Sequence, residues 1–444
     1  MEKFSIVGAG LVGSLLSIYL TKRGCKVEMY ERRPDLRKGG NYGGRSINLA
    51  LSDRGWKALK DAGLTEEISK IAIPMKGRMV HDIQGNLSFH AYGKENQAIY
   101  SVSRADLNYK LMDLAEEKGV KIHFDHRCDD VDLNNNVLHF KDTKNNLSKE
   151  VKADKIFSAD GAFSAVRYKM QFLNRFDYSQ EYIHHGYKEL CIPAGENGEF
   201  LMDKNSLHIW PRGYFMMIAL PNPDGSFTCT LFLPFEHEEW SFEKLKTKEE
   251  FAAFFNAVFP DAVPLMPTLL EDFEQNPNAS LVMTKCEPWN YEDKILLLGD
   301  AAHAIVPFYG QGMNCGFEDC TVLDQVIDKH NGDWKKIFPE FAKERKPDAD
   351  AICELALRNF IEMRDLVADA KFILRKKIEN KFASKHPDKW MPLYSMVTFS
   401  HIPYSKALAE GIRQDKIMEQ ILQLPNIENI WDSEFVESEI LKLI

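Results

Sequence analysis

Basic charge is in deficit in this chain: 56 Lys and Arg stand against 66 Asp and Glu, a formal net charge of −10 over 444 residues. Proteins that gain affinity by neutralising phosphates carry the opposite balance, which excludes DNA and RNA as default partners. Long apolar runs are missing too. The longest, around Phe215 to Leu220 and Ile295 to Leu298, are far below the ~20 residues that span a bilayer. Cysteine is sparse and unpatterned: the residues at 25, 128, 191, 229, 286, 315, 320 and 353 show no C-x-x-C and no metal-ligand spacing. Reduced thiols are therefore expected, with neither a disulfide framework nor a bound metal. No basic stretch precedes an apolar one in Met1 to Gly8, which predicts no export signal and a cytoplasmic protein. What remains is ordinary globular text, 44% apolar and 27% charged. Its length suits two or three folded domains, and no internal repeat is visible.

Local periodicity gives the organisation. Phe4 to Val7 reads as a short buried strand, followed by a glycine turn, an apolar helix to about Arg23 and a second strand from Lys26 to Tyr30. That is a βαβ unit. Glycine-punctuated text fills Pro74 to Tyr100. Ser103 then caps a helix whose Leu107, Leu111 and Leu114 share one face before Gly119 ends it. A strand-rich block from about Phe176 to Phe235 contains Leu207–Trp210, Phe215–Leu220 and Phe227–Leu233, separated by turns such as Pro221-Asn222-Pro223-Asp224-Gly225. It predicts an antiparallel sheet. After another buried strand, Lys294 to Leu298, the chain reads as mostly helical to its end. The expected architecture is α/β: a discontinuous first domain from 1–75, 97–175 and 285–330, a second from 76–96 and 176–284, and a helical region over 331–444.

Three motifs carry chemistry. Gly8-Ala9-Gly10-Leu11-Val12-Gly13 lies between the first strand and its helix, with Glu31 eighteen residues beyond Gly13 at the end of the next strand. Glycines here allow a tight turn and close backbone approach, the helix amides suit a pyrophosphate, and the acid can accept from a ribose hydroxyl. This context predicts dinucleotide binding without saying which dinucleotide. Ser158 to Arg167, built around Asp160-Gly161, follows a strand and by itself reads as a turn. Gly299 to Asn314 starts at the end of a buried strand and runs through a glycine-rich loop into a helix, where α/β sheets bind ligands. Asp300 can accept from a sugar-like hydroxyl, and free amides at the helix start can face an electron-rich ring edge.

The order G-x-G-x-x-G, then Asp-Gly, then Gly-Asp resembles the single-component FAD-dependent aromatic hydroxylases. Gly44 to Ser52, Gly299 to Asn314 and Pro392 to Ser400 resemble the branch that hydroxylates L-kynurenine, and the likeness runs over nearly the whole chain. It implies a Rossmann-like FAD-binding domain, an antiparallel-sheet substrate domain and a helical C-terminal region. It further implies that NADPH and O2 serve as cosubstrates and that a flavin C4a-hydroperoxide transfers oxygen to the ring carbon beside the aniline amine, with no side-chain nucleophile. Tryptophan catabolism and NAD biosynthesis are the implied setting, with another aminoaryl compound as the alternative substrate. Flavin-contacting positions carried over are Gly8, Gly10, Val12, Gly13, Tyr30, Glu31, Arg32, Arg33, Ala50, Arg104, Cys128, Ala165, Asp300, Met313 and Asn314. Arg104 also makes independent sense, because a cation in a helix's first turn is disfavoured unless an anion compensates. Tyr309 stands where some members have His, which puts a proton-relay role there in question. A flavin-dependent halogenase is disfavoured by the lack of a W-x-W-x-I segment. A prenyl-protein carrier of related fold would not need flavin.

Substrate positions implied are Arg78, Tyr92, Asn359, Met363 and Tyr394. A fork-shaped guanidinium suits the α-carboxylate of kynurenine, although Arg78 alone reads equally as a surface ion pair and Tyr394 as a core tyrosine. Asn359 falls inside a helical stripe of Ile352, Leu355, Ala356, Met363, Leu366 and Ala370. An unsatisfied buried amide costs about 1–3 kcal/mol, so neighbouring backbone or a ligand must partner it, and the spacing leaves both open. Beyond Pro425 the tail is acidic, with Glu428, Asp432, Glu434, Glu437 and Glu439 against Lys442 alone. That suits neither a spanning nor a lipid-surface helix. Ile430, Phe435, Ile440 and Leu441 are expected to pack on the protein over the substrate side, with no membrane anchor. Oligomeric state is not readable.

Overall fold

A computed structural model describes residues 2–38, 48–93, 97–366 and 369–444, the side chains of 365 and 366 excepted. Gly44 to Ile47 of the first family phrase and the Leu366 side chain lie outside it. The strand Lys3–Val7 is central to a six-stranded sheet. It pairs in parallel with Lys26–Tyr30 on one side and Lys155–Ser158 on the other. Lys121–His123 and Ile295–Leu297 extend the sheet outward in parallel, and Asn290–Tyr291 closes one edge antiparallel. Phe4, Ile6, Phe157 and Leu296 are fully buried because both faces are covered, as a parallel sheet requires. Strand order reverses between Lys3–Val7 and Lys155–Ser158, so the loops after them open a crevice at their carboxyl ends. The helix Leu11–Lys22 follows the glycine turn, and Ser103 Oγ caps Arg104–Glu117 by accepting from Asp106 N.

Two small antiparallel sheets flank this unit, one of His126–Asp132, Val137–Asp142 and Ser148–Lys152, the other of Asn48–Leu51, Ile99–Ser103 and Ile73–Met75. The strand-rich block forms a seven-stranded sheet. Its expected segments are realised as Ser206–Pro211, Met216–Pro221 and Phe227–Pro234. This sheet is not wholly antiparallel, because Ser206–Pro211 pairs in parallel with Gly77–His81. The latter reaches the sheet from a distant part of the chain as one arm of a hairpin with Leu87–Ala91, so local turn geometry does not dictate its direction. One face of the sheet packs under Phe251, Phe254, Phe255 and Phe259.

The C-terminal region departs from expectation in three places. Trp334, Ile337, Phe338 and Phe341 of the helix Trp334–Ile361 pack into the core of the parallel sheet, Trp334 edge-on to Phe4 at 5.2 Å, so no packing boundary falls at 331. The chain then winds into a π turn over Glu362–Leu366. Met363 within it is buried. Ala370 starts a separate helix, Ala370–Lys385, and is exposed. Finally, the tail helices join Ile378, Phe382, Trp390, Ile417 and Met418 in a satellite core. Ile440 is buried there and Ile430 and Leu441 pack against it, but Phe435 is 53% exposed and Val436 takes the inward position. In the helix Glu434–Leu443 the inward residues are Val436 and Ile440, four apart, which turns Phe435 outward. Among the described residues no helix is long and apolar enough to cross a membrane.

Burying a charge at Val436 should cost about 3 kcal/mol, whereas Phe435→Asp should stay within about 0.5 kcal/mol. Thermal unfolding of Val436→Asp and Phe435→Asp checks this, and equal losses would contradict the packing of the tail.

Candidate active site

The crevice is built from glycine contacts that no other residue can make. A Cβ on Gly13 would lie 2.1 Å from the Gly8 carbonyl, and one on Gly8, at φ +97°, would lie 2.5 Å from the Ala159 carbonyl. Turn, helix and neighbouring strand therefore touch backbone to backbone. Gly10 differs, since a Cβ there would meet nothing within 4 Å. The amides of Leu11, Val12 and Gly13 precede the first helical bond, Ser14 N to Gly10 O at 2.9 Å. Glu31 is buried at the end of the second strand. Its Oε2 accepts from Ala9 N at 3.1 Å and its Oε1 from Arg33 Nε at 2.8 Å, which fixes the carboxylate at the crevice with acceptor capacity to spare. The Tyr30 ring below is clamped between His123 and Phe140, with centroids 4.6 and 4.3 Å away.

The other two motifs close the crevice. Asp160 accepts from Ser158 Oγ at 2.5 Å and Ala165 N at 2.8 Å, which fixes the turn after the strand. Asp300 opens a short helix, and the amides of Gly312, Met313 and Asn314 precede the bond from Cys315 N to Gln311 O. Together these loops bound one cavity of about 620 Å³. It runs from Gly10, Glu31, Arg32 and Arg33 past Cys128, Ala165, Asp300, Met313, Ala50 and Arg104 to Arg78, Asn359, Met363 and Tyr394. Gly8, Val12 and Tyr30 also line it. Gly13, Asn314 and Tyr92 do not. Gly13 is consumed by packing. The Asn314 side chain is fully engaged, accepting from Ser52 N and donating to the Ala50 and Gly310 carbonyls, so only its main chain remains to meet a cofactor. Arg104 makes no ion pair among the described residues and stands exposed at a helix start, the setting in which an anion is wanted. Free helix amides at both ends, an open Gly10 and a lone arginine fit a long dinucleotide.

At the far end Arg78 lies against aromatic faces, its guanidinium 4.9 Å from the Tyr394 ring centroid and 5.7 Å from that of Tyr92. Tyr92, Tyr394 and Tyr309 stack in series at 5.3 and 5.6 Å. Arg78 Nε is buried without an acceptor and Arg78 makes no ion pair among the described residues, although the Glu362 charge and the Tyr92 and Tyr394 hydroxyls lie near its guanidinium. Such a cation is ready for an anionic ligand. Asn359 Nδ2 donates to Phe308 O at 2.7 Å and to Met363 Sδ at 3.2 Å. Backbone thus satisfies the amide nitrogen, and Oδ1 is left for a ligand. Leu207, Met216, Ile218, Phe232 and Phe308 make the wall between the two ends apolar.

Sequence reasoning missed what braces these loops. Asp319 accepts from Gly299 N at 2.9 Å, from Arg345 Nε at 2.9 Å and from His303 Nε2 at 2.7 Å, all buried. Burial would lower the His303 pKa, but the Asp319 carboxylate outweighs it and holds it well above the usual histidine range. The partners are far apart in sequence. The visible signal was Glu318-Asp319 inside an otherwise apolar helix face.

Residues 3–353 match the family model described as FAD binding domain. A kynurenine 3-monooxygenase of Flavobacterium johnsoniae is 55% identical over 442 residues, covering 100% of this chain and 98% of that protein. The chain belongs to the kynurenine 3-monooxygenase family. Members in Myxococcus xanthus and Dictyostelium discoideum are 49% and 46% identical over 97% and 95% of the chain, covering 93% of each relative. Among solved structures, the tetrameric form of 2-methyl-3-hydroxypyridine-5-carboxylic acid oxygenase superposes with a TM-score of 0.68 at 18% identity, over 84% of this chain and 95% of that one. A tetracycline destructase gives 0.59 at 16% identity, over 96% and 100%. These two likenesses concern the fold. The FAD-binding fold, the monooxygenase class and FAD as cofactor follow from the family.

Gly10→Val places two methyl groups in open cavity, so the purified protein should fold normally and lose its FAD. Gly13→Leu should fail to fold, because the clash is with backbone. Flavin absorbance per chain and circular dichroism check both, and full FAD in Gly10→Val would remove the cradle from this position.

Proposed function

We propose that the chain hydroxylates L-kynurenine to 3-hydroxy-L-kynurenine with NADPH and O2, in tryptophan catabolism and NAD biosynthesis. The observation that carries this reading is the continuity of one cavity from the glycine cradle to an unpaired arginine framed by tyrosines. Bound FAD would couple the two electrons of NADPH to the activation of O2, one atom of which enters the ring while the other leaves as water. The chain's own residues bind, orient and exclude water. Helix amides at Leu11 to Gly13 and Arg104 take the pyrophosphate, Glu31 takes the adenosine ribose, and Asp300 with the amides of Gly312 to Asn314 holds the flavin end. Ala50, Cys128, Ala165 and Met313 supply contact surface along it.

Arg78 receives the α-carboxylate as a fork, with Tyr92 and Tyr394 as its aromatic support. Asn359 Oδ1 accepts from the amino acid head or the aniline amine, while its Nδ2 keeps Phe308 in place. Met363 and Phe308 press the aryl ring towards the flavin end, and the apolar wall keeps out water that would discharge the activated oxygen without transfer. Tyr309, without a hydrogen-bond partner for its hydroxyl among the described residues, is a packing and positioning group here, and no proton relay is assigned to it. The sheet around Lys3–Val7 is the FAD-binding part and the seven-stranded sheet the substrate part. The acidic net charge and a tail packed into its own satellite core fit a cytoplasmic enzyme that does not bind nucleic acid.

NADPH oxidation should rise on adding L-kynurenine, with mass spectrometry detecting a product heavier by one oxygen; oxidation that kynurenine leaves unchanged would refute the reading. Arg78→Lys keeps charge but loses the fork, which should weaken kynurenine binding by about 1.5–3 kcal/mol. FAD content should not change. Titration of both proteins with kynurenine measures the difference, and equal dissociation constants would remove Arg78 from the site.

A further inference from the structure

The strand that carries Arg78 has a second face. Side chains alternate along Gly77–His81, so with Arg78 lining the cavity His81 lies behind the sheet, where it is buried. The same alternation in the parallel partner Ser206–Pro211 puts Leu207 at the cavity and His208 and Trp210 behind. Behind the sheet lies a chain of hydrogen bonds. His81 Nδ1 is 2.7 Å from Asp261 Oδ2, His81 Nε2 is 2.9 Å from His208 Nδ1, and His208 Nε2 is 2.9 Å from the Asp203 carbonyl. Trp210 Nε1 donates to the same Asp261 oxygen at 2.9 Å, and the Trp210 ring stacks on His81 at 3.9 Å.

Both ends of this chain are acceptors, a carboxylate and a carbonyl. Three links need three protons, one each, but two neutral imidazoles supply only two. One further proton must reside in the cluster. Burial alone would raise the Asp261 pKa, yet the bonds from His81 and Trp210 bring it below the usual carboxylate range. Burial lowers His208 to about 4. The carboxyl end is thus ionised, and the extra proton is held by the pair of imidazoles that the 2.9 Å link joins. Other charged groups around it are Arg212, whose Nη1 donates to the His81 carbonyl, Asp82, whose carbonyl accepts from Arg212 Nη2, and the Asp203 carboxylate, which accepts from Ser206 Oγ. None of them reaches either imidazole with its side chain.

We propose that the Asp261–His81–His208 chain stores one proton and thereby fixes the strand on which Arg78 stands, which makes these three residues positioning groups for the carboxylate-binding arginine. The proposal rests on the reading of Arg78 given above. Loss of the stored proton as pH rises removes one of the three links and loosens the strand behind Arg78. Kynurenine binding should then weaken as pH rises, while chemistry on bound substrate is unaffected.

Two measurements on the FAD-loaded enzyme test it. In protein labelled with ¹⁵N-histidine, the His81 and His208 rings should together show three protonated nitrogens; a count of two overturns the stored proton. Asp261→Asn keeps the shape but not the charge, so the KM for kynurenine should rise roughly tenfold. Its alkaline pH dependence should flatten while kcat and FAD content hold, and Asp261→Glu should restore part of the affinity. A pH profile parallel to the unsubstituted enzyme, or a fall in kcat with KM unchanged, overturns the positioning role. Should Asp261→Asn not fold, the nitrogen count still decides. An unsubstituted enzyme that does not bind kynurenine at all refutes the substrate reading instead, and leaves the proton count to stand or fall alone.

Discussion

A single buried carboxylate ties the cofactor side of this molecule to its substrate side. Asp319 accepts from Gly299 N, His303 and Arg345. Gly299 opens the loop that carries Asp300, and Arg345 belongs to the helix that carries Asn359. Arg345 also reaches Glu318, which pairs with Arg54, and Arg54 donates to the carbonyls of Val397 and Ile402 behind Tyr394. Three regions far apart in sequence thus share one network of alternating charges. Ionic groups are expensive to bury, and a network in which each charge meets its opposite offsets that cost only in one geometry. That requirement of geometry is what a site must have if ring and flavin are to meet at a set distance.

Charge is distributed along the cavity on the opposite plan. Within the braced shell, Arg78 and Arg104 lack carboxylate partners among the described residues, and the amides at two helix starts lack carbonyls. The framework is rich in ion pairs; the cavity presents unpaired donors at Arg78, Arg104 and the helix starts beside the acceptors Glu31, Asp300 and Asn359 Oδ1. Phosphates at the glycine end and a carboxylate at the Arg78 end would complete the set. The stacked tyrosines hold the guanidinium in place, since ring faces 4.9 and 5.7 Å away stabilise a cation without adding a charge of their own.

The π turn after Ile361 belongs to this arrangement. It follows Asn359 and carries Met363, whose Sδ accepts from Asn359 Nδ2, while Ala370 opens a separate helix. Wider local pitch at a ligand-facing helix end is a common place for such a turn. The tail, in contrast, is kept apart: its residues form a satellite core with the helices Ala370–Lys385 and Tyr404–Ile421 and contribute nothing to the cavity wall.

Local patterns in the sequence determined the βαβ start, the Ser103 cap, the strand positions of the second sheet and the loops that bind the dinucleotide. Each depends on residues within a few positions of one another, where periodicity and turn chemistry act directly. Family likeness in long phrases supplied Arg78, Tyr394 and the flavin positions, which spacing alone left open. Only the tertiary structure decided the parallel pairing of Gly77–His81, the engagement of the Asn314 side chain in bracing, and the outward turn of Phe435. The buried network around Asp319 and the imidazole chain behind Arg78 are of the same kind. Their side-chain partners are separated by 16 to 264 residues, and a hydrogen bond between two side chains leaves no periodicity in either segment. The sequence carries the donors and acceptors, and packing chooses which of them meet.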